Sequence, residues 1–347
     1  MLLNILLTGA AGLVGGEVAD RLVKAGHRVT AMVRQSRDIR ANDGSEVVPS
    51  RVVSGDVTKD RLGMSEADYA ALADESELVI HCAASVRFDL DEAAYHATNV
   101  AGTARVIELA QAGDMAILHV STAYVCGSRD GVILEGDPLP ESGFANGYEA
   151  SKAAAEKLVR ASGLRHVIAR PSIITGHSET GAIRSFDTIY ALFRLMAQGR
   201  IAHIPASPDA SFDFVPIDHV AAGIVALAER MSDAAGKTFH LCADAPLSVS
   251  DFLATIASYP GFEAPEAMPP ERFDPATLPT RERRLFARAV KPYASYFSRD
   301  PHFDDGALRA VTGLEAPPTG SAYFKRLIDY CIAEGFLGKR ALHLISG

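Results

Sequence analysis

The chain has 347 residues, of which 34 are Lys or Arg and 43 are Asp or Glu, a formal charge of −9; 48% are apolar and 22% charged. Such a chain can bury a sizeable core, which excludes a disordered protein, and its acidic balance argues against a nucleic-acid partner, which demands a basic face. Cys82, Cys126, Cys242 and Cys331 are scattered, with no pair at CxxC spacing, so a disulfide scaffold and a zinc knuckle are excluded, no metal site is predicted, and a reducing compartment is indicated.

The apolar start Leu2–Leu7 has no basic residue before it and stops at Thr8-Gly9. A secretory core needs ~7–15 apolar residues behind a basic stretch and a membrane span ~20. A buried first strand of a cytoplasmic protein is therefore expected. Strands follow at Leu3–Leu7, Arg28–Val33, Arg51–Ser54, Leu78–Cys82, Ala116–Val120 and His166–Ala169, with helices near Leu13–Ala25, Glu66–Ala73, Glu92–Ala112 and Tyr148–Ala161. Strict alternation predicts an α/β fold, a doubly wound parallel sheet of Rossmann type with ligands beyond the carboxyl ends of its strands. Residues 1–175 are expected to form this domain and 176–347 a smaller, less regular substrate-binding region. There Phe186–Gln198, Ile217–Arg230, Val249–Ser258, Asp304–Val311 and Ala322–Glu334 read as helices and Thr238–Cys242 as a strand. Six prolines between 260 and 279 rule out a long helix and begin a Pro-rich, basic lid around 260–298.

The first strand runs into Thr8-Gly9-Ala10-Ala11-Gly12-Leu13-Val14-Gly15, opening a helix. Glycines there let a pyrophosphate approach the free amides of the helix N-terminus; Gly9, Gly12, Leu13, Val14 and Gly15 are the candidate ligands. An NAD-preferring site usually carries an acid ~20 residues further on, for the ribose 2′-hydroxyl. This chain has Arg34 there, followed by Arg37, and a guanidinium suits a 2′-phosphate, so NADP(H) is the predicted cofactor. Asp56-Val57 after the third strand can accept from the adenine amino group, and Ala83-Ala84 after the fourth leave room for a ribose. His81 reads as a satisfied buried histidine.

Val120-Ser121-Thr122-Ala123-Tyr124 ends the fifth strand, and Tyr148 and Lys152 lie four apart on one helix face. A phenol of pKa ~10 is a poor acid–base group at neutral pH; the Lys152 ammonium, together with the charge of the oxidised nicotinamide, is expected to pull the Tyr148 pKa down. Thr122 would hydrogen-bond the substrate oxygen beside the phenol.

Together with Asn99 in Thr98-Asn99-Val100-Ala101-Gly102-Thr103 and with Arg170-Pro171-Ser172-Ile173-Ile174, these motifs resemble the extended short-chain dehydrogenase/reductase superfamily over about residues 1–245. The resemblance implies a catalytic set of Thr122, Tyr148 and Lys152, with Lys152 also gripping the nicotinamide ribose. Pro171, Ser172 and Ile173 would line the nicotinamide, and Asn99 would be structural or a proton-relay member. It also implies a homodimer through Glu92–Ala112 and Tyr148–Ala161.

Three branches compete. Sugar-nucleotide epimerases share the scaffold, but Ala123-Tyr124 replace the Asp-Glu pair of the related dehydratases and Arg34 disfavours a retained NAD. His81–Asp89 and Ser121–Val125 look most like fatty acyl-CoA reductases and thioester-reductase domains, although the chain lacks room for the former's large C-terminal domain and has no fused carrier. Ketone reductases of bulky apolar molecules fit the apolar stretch Phe186–Met196, which ordinary core packing also explains. The reading favoured from sequence is NADPH-dependent reduction of a long-chain lipid ketone, similar to oxo-ceramide reductases, with acyl-thioester reduction as the alternative. A purely binding or redox-sensing protein is disfavoured because Thr122, Tyr148 and Lys152 are all present.

Residues 281–291 carry five positive charges and one negative, followed by Tyr293, Tyr296 and Phe297. The stretch through 298 reads either as a solvated lid helix or as a basic amphipathic segment resting on an anionic membrane surface.

Overall fold

The structure, a computed structural model, describes residues 2–337 except 89, 188 and 208. Asp89, which ends one of the quoted motifs, and the last ten positions of the C-terminal region lie outside the described residues. The first half contains β1 (Asn4–Thr8), α1 (Leu13–Lys24), β2 (Arg28–Val33), β3 (Arg51–Ser54), α2 (Glu66–Glu75), β4 (Leu78–His81), α3 (Glu92–Tyr95), α4 (Ala101–Ala112), β5 (Ala116–Val120), β6 (Gly131–Ile133), α5 (Gly147–Ala161) and β7 (His166–Pro171). Then come β8 (Ile173–Thr175), α6 (Ile189–Ala197), β9 (His203–Pro205), β10 (Ser211–Phe212), β11 (Phe214–Pro216), α7 (Ile217–Glu229), α8 (Met231–Ala234) and β12 (Thr238–Leu241). The chain continues through β13 (Leu247–Ser248), α9 (Val249–Ala257), β14 (Glu266–Met268), α10 (Thr280–Leu285), β15 (Pro301–Phe303), α11 (Gly306–Thr312) and α12 (Ser321–Ala333).

Seven strands form one sheet in the order β3-β2-β1-β4-β5-β7-β12, and every neighbouring pair is parallel. This is the doubly wound sheet expected from the alternation. Successive side chains of β1 serve opposite faces. Ile5 and Leu7 enter the core beneath α1 and α7, with Val18, Leu22, Val220 and Ile224. Leu6 enters the core beneath α2, α4 and α5, with Leu72, Val106, Leu109 and Val159. Strand order reverses between β1 and β4, so the two crossovers diverge and open a cleft above their carboxyl ends.

A division at residue 175 cuts across this layer. The last strand, β12, pairs with β7, and α7 covers the same face as α1. The physical reason is the handedness of the crossover, which returns the chain to the sheet before the second region is finished. The expected helix over Glu92–Ala112 is also split. Between α3 and α4 the turn His96–Val100 widens to a π-helical one, and Asn99 projects inward from it.

The second region packs around its own aromatic core. Phe193, Phe212, Phe214, Phe252, Phe297 and Phe324 are all buried in it, and the Phe212 and Phe214 rings stack with centroids 5.2 Å apart. Leu192, Phe193 and Met196 of α6 are core residues. In the basic stretch, Phe286, Val290, Tyr296 and Phe297 are buried while Arg281, Arg283, Arg284, Arg288 and Lys291 are exposed. Its apolar side is thus spent on the core and its basic side meets solvent. Among the described residues, no helix is long and apolar enough to cross a membrane.

Candidate active site

The glycine loop begins where β1 ends. Gly9 has φ +70°, and a Cβ there would stand 2.7 Å from the Ala83 backbone nitrogen, so only glycine admits the close approach of the β1 and β4 ends. The Gly12 amide donates to the Gly9 carbonyl at 2.9 Å, and a Cβ on Gly15 would meet that carbonyl oxygen at 2.1 Å. Gly12 caps α1 without a side chain, and the first turn carries no acid. The opening amides and the dipole of α1 therefore favour an anion. Gly9, Gly12, Leu13, Val14 and Gly15 all line one large cleft, and the residues present fit a dinucleotide pyrophosphate.

The flanking candidates gather around the same strand ends. Ala84 lines the cleft, and the Ala83 amide donates to Thr8 Oγ1 at 3.2 Å. Asp56 Oδ1 accepts from the Thr58 amide at 2.9 Å and the Thr58 hydroxyl at 2.7 Å. Burial pushes its pKa up, but those two donors and the nearby Arg34 charge outweigh this and hold it below the usual range. Val57 is buried against Gly102, where a Cβ would meet Val57 Cγ2 at 3.0 Å. Arg34 and Arg37 are exposed beyond β2, and Arg37 lines a separate surface hollow with Arg51 and Ser54.

Asn146 caps α5 by accepting from the Glu149 amide at 2.9 Å, which sets Tyr148 in the first turn and Lys152 one turn later. Tyr148 and Thr122 line the cleft. Lys152 is 2% exposed; its Nζ donates to the Val120 carbonyl at 2.7 Å and lies 3.4 Å from His119 Nε2. Burial lowers the Lys152 pKa to about 8. His119 and His81 are pushed well down, chiefly by burial and then by the Lys152 charge. His81 bridges the Thr8 and Thr103 hydroxyls at 2.7 and 3.1 Å, the satisfied buried histidine its sequence context predicted.

At the phenol the chain's own groups act in the upward direction. Burial, then the Glu149 carboxylate and Tyr95, push the Tyr148 pKa above its ordinary value. The Lys152 ammonium, engaged with the Val120 carbonyl, does not offset them. Tyr148 is consequently a protonated phenol at neutral pH, the form that can donate.

Thr122 Oγ1 donates to the Pro171 carbonyl at 3.3 Å. Its neighbour Ser121 is buried, and its hydroxyl has no hydrogen-bond partner among the described residues. Ser172 and Ile173 line the cleft, while Ser172 Oγ donates to buried Asp213 at 2.5 Å. Burial pushes the Asp213 pKa up to about 6 despite this bond and one from the Ala243 amide. Asn99 takes a bracing position. Its carboxamide accepts from the Ser85 amide at 2.7 Å and donates to the Ser85 carbonyl at 3.0 Å and Ser151 Oγ at 2.9 Å. These three bonds tie the loop after β4 to α5, which makes Asn99 a positioning residue between those elements.

Most of the far wall comes from residues that sequence reasoning did not assign to the site; Ile189 and Tyr190 fall in the apolar stretch read as fitting a bulky apolar substrate. Phe88, Tyr124, Ile183, Ile189, Tyr190, Tyr293 and Tyr296 complete the cleft, which holds about 1290 Å³ of empty space, its open mouth included. The Phe88 ring lies 5.7 Å from that of Tyr148 and 5.2 Å from that of Tyr293. In the sequence Tyr293 and Tyr296 stand out only as aromatics after a charge run; nothing local joins them to Tyr148. The wall is apolar and aromatic, the floor carries a protonated phenol and a hydroxyl, and the rear is an anion cradle. Such a site can bind a dinucleotide and present a carbonyl to it.

A solved structure, the terminal R domain from the myxalamid PKS-NRPS biosynthetic pathway, superposes with a TM-score of 0.83 at 26% identity, covering 97% of this chain and 92% of that one. A thiolation-reductase di-domain from an archaeal non-ribosomal peptide synthetase shares the fold, with a TM-score of 0.73 at 21% identity over 97% of this chain and 76% of that one. Among curated proteins, a linear gramicidin synthase of Brevibacillus parabrevis is 28% identical over 96% of this chain, which spans 7% of that protein's length. The family model described as male sterility protein, an NAD-binding family, matches residues 7–224. The chain belongs to that NAD-binding family, within the extended short-chain dehydrogenase/reductase superfamily.

Proposed function

We propose that the protein is a nicotinamide-dependent oxidoreductase that reduces the carbonyl of an acyl thioester, that the reductant is NADPH, and that the product is an aldehyde. The observation that carries this reading is the end-to-end likeness to the myxalamid R domain, which extends through the cleft wall as well as the sheet. The thiolation-reductase di-domain supports it further, because there a reductase of the same fold is joined to a thiolation domain. The long-chain ketone favoured from sequence rests on the apolar wall alone, and that wall suits the chain of any acyl group equally. Arg34, with no acid at the end of β2, supports NADPH over NADH.

A bound reduced nicotinamide supplies a hydride to the carbonyl carbon. Tyr148 donates its phenolic proton to the carbonyl oxygen, and Thr122 hydrogen-bonds that oxygen as charge develops on it. The Lys152 ammonium favours the phenolate left behind. In the resulting hemithioacetal the phenolate takes back the hydroxyl proton, the C–S bond breaks, and the thiolate leaves and is protonated by solvent.

The test gives purified protein and NADPH either a long-chain acyl thioester of CoA or pantetheine, or a long-chain 3-keto lipid. Cofactor oxidation with the thioester, and an aldehyde trapped by a hydrazine, is the expected result. Oxidation with the keto lipid alone restores the lipid-ketone reading and removes this one.

A further inference from the structure

The segment between β8 and α6 crosses over the glycine loop and is pinned there. Asn42, buried in the loop after β2, donates its Nδ2 to the Ala182 carbonyl at 2.7 Å and accepts from the Arg184 amide at 3.0 Å. The Asn42 amide in turn donates to Glu17 Oε2 on α1 at 2.9 Å. A Cβ on Gly16 would meet the Arg40 carbonyl oxygen at 2.1 Å, so this loop lies directly on α1. The clip delivers the Arg184 side chain to the glycine loop, where Nη2 donates to the Ala11 carbonyl at 3.3 Å.

The guanidinium is poorly served there. Its Nε is buried without a hydrogen-bond partner among the described residues, and burial depresses its pKa, with Asp38 supporting the charge and Arg40 opposing it. Arg40 itself is spent on Asp38 at 2.8 Å and the Gly44 carbonyl at 3.0 Å. Arg184 is therefore a cation with unspent donors held beside the α1 anion cradle. A half-buried guanidinium whose Nε is shut away from water and unpaired is costly unless an anion completes it.

We propose that Arg184 is a ligand for a phosphate of the bound dinucleotide, and that this contact makes cofactor occupancy set the wall of the substrate cleft. The second half follows from chain continuity. Ile183, Ser185 and Asp187 on either side of Arg184, and Ile189 and Tyr190 at the start of α6, line the cleft that holds Tyr148 and Thr122. Fixing the guanidinium on a phosphate fixes the backbone that carries these residues.

The proposal rests on the nicotinamide reading, and its test separates the two. Calorimetric titration of the wild-type protein, Arg184→Ala and Arg184→Lys with NADPH and NADH reads the contact directly. Arg184→Ala should weaken NADPH at least tenfold, and Arg184→Lys should recover part of the loss. An equal loss for NADH locates the contact at the pyrophosphate, and a loss for NADPH alone at the 2′-phosphate. The melting temperature without cofactor should stay level or rise in Arg184→Ala, because an unsatisfied buried donor is removed. Hydrogen exchange of residues 182–190 should slow with NADPH in the wild type and not in Arg184→Ala. Unchanged affinities, or a lowered melting temperature with affinity retained, would make Arg184 structural and overturn the proposal; equal exchange protection would overturn the link to the cleft wall. Failure of the wild type to bind either dinucleotide would remove the cofactor reading as well.

Discussion

Glu149, the residue after Tyr148, forms a buried ion pair with Arg299, 150 positions away, at 2.9 Å from Nη2 to Oε1. The same guanidinium sits over the Tyr124 and Tyr296 rings at 5.1 and 4.8 Å, donates to the Gly127 carbonyl at 3.0 Å, and shares Glu149 with the Tyr296 hydroxyl at 3.2 Å. One cation thus joins the first turn of α5 to the segment that supplies the aromatic wall. Removing one member leaves the other charge buried and unpaired, a loss of about 3–5 kcal/mol. Arg299→Ala should lose stability of that order in urea unfolding, and Arg299→Lys should recover little, because an ammonium cannot stack flat or bind in a fork. Near wild-type stability in Arg299→Ala would mean that the pair is solvated in solution.

Tyr148→Phe removes one oxygen from the cleft and keeps the ring that packs on Phe88. If the phenol is the proton donor, kcat should fall about 10²–10⁴-fold while the dissociation constant for NADPH changes less than threefold or so. Steady-state kinetics and calorimetric titration together check this. A parallel loss of cofactor affinity would assign Tyr148 to binding.

The Lys152 pKa of about 8, against an ordinary 10.5, follows from burial and has two consequences of opposite sign. The ammonium, which favours the phenolate, is present below about 8, so kcat/KM should fall as pH rises through that value with the slope of one proton. Stability should move the other way. Between about 8 and 10.5 the unfolded chain holds a proton that the folded chain does not, so this contribution is present above 10.5 and is lost as pH falls to about 8. The difference in unfolding free energy between the wild type and Lys152→Met, measured from pH 7 to 10.5, isolates it. A difference that does not change with pH would show that Lys152 is not desolvated.

Most of what shapes the sheet is local in sequence, and it was legible there. β1, β2, β3, β4, β5, β7 and β12 are short β-branched runs bounded by turn residues, and the glycine loop declares itself by following β1 directly. Tyr148 and Lys152 share a helix face by their spacing alone. What escaped is joined over long separations. Arg299 meets Glu149, Tyr293 and Phe88 meet near Tyr148, and Arg184 reaches Ala11 only because Asn42 clips one loop to another. The Tyr148 pKa escaped for a different reason: Lys152 does lie one turn away, but its Nζ is drawn to the Val120 carbonyl, and burial then decides the sign. The split at Asn99 is of the same kind, since the helical pattern of Glu92–Ala112 is unbroken and only the tertiary demand of Ser85 and Ser151 turns the carboxamide inward.

Arg34 offers the sharpest test of cofactor choice. It is exposed at the end of β2, close enough to help hold Asp56 ionised, and it has no acid beside it in the chain. A guanidinium there pairs with a 2′-phosphate and gains nothing from a 2′-hydroxyl, whereas a carboxylate repels the former and accepts from the latter. Arg34→Asp should therefore weaken NADPH and strengthen NADH, moving the ratio of their kcat/KM values by about ten- to a hundredfold, each tenfold being about 1.4 kcal/mol. Because the side chain is solvated, the shift should shrink as salt is raised, while Tyr148-dependent turnover with saturating cofactor stays the same. An unchanged ratio would leave the 2′-phosphate to Arg37 or Arg184, and the calorimetric comparison of NADPH with NADH in Arg184→Ala would then decide between them.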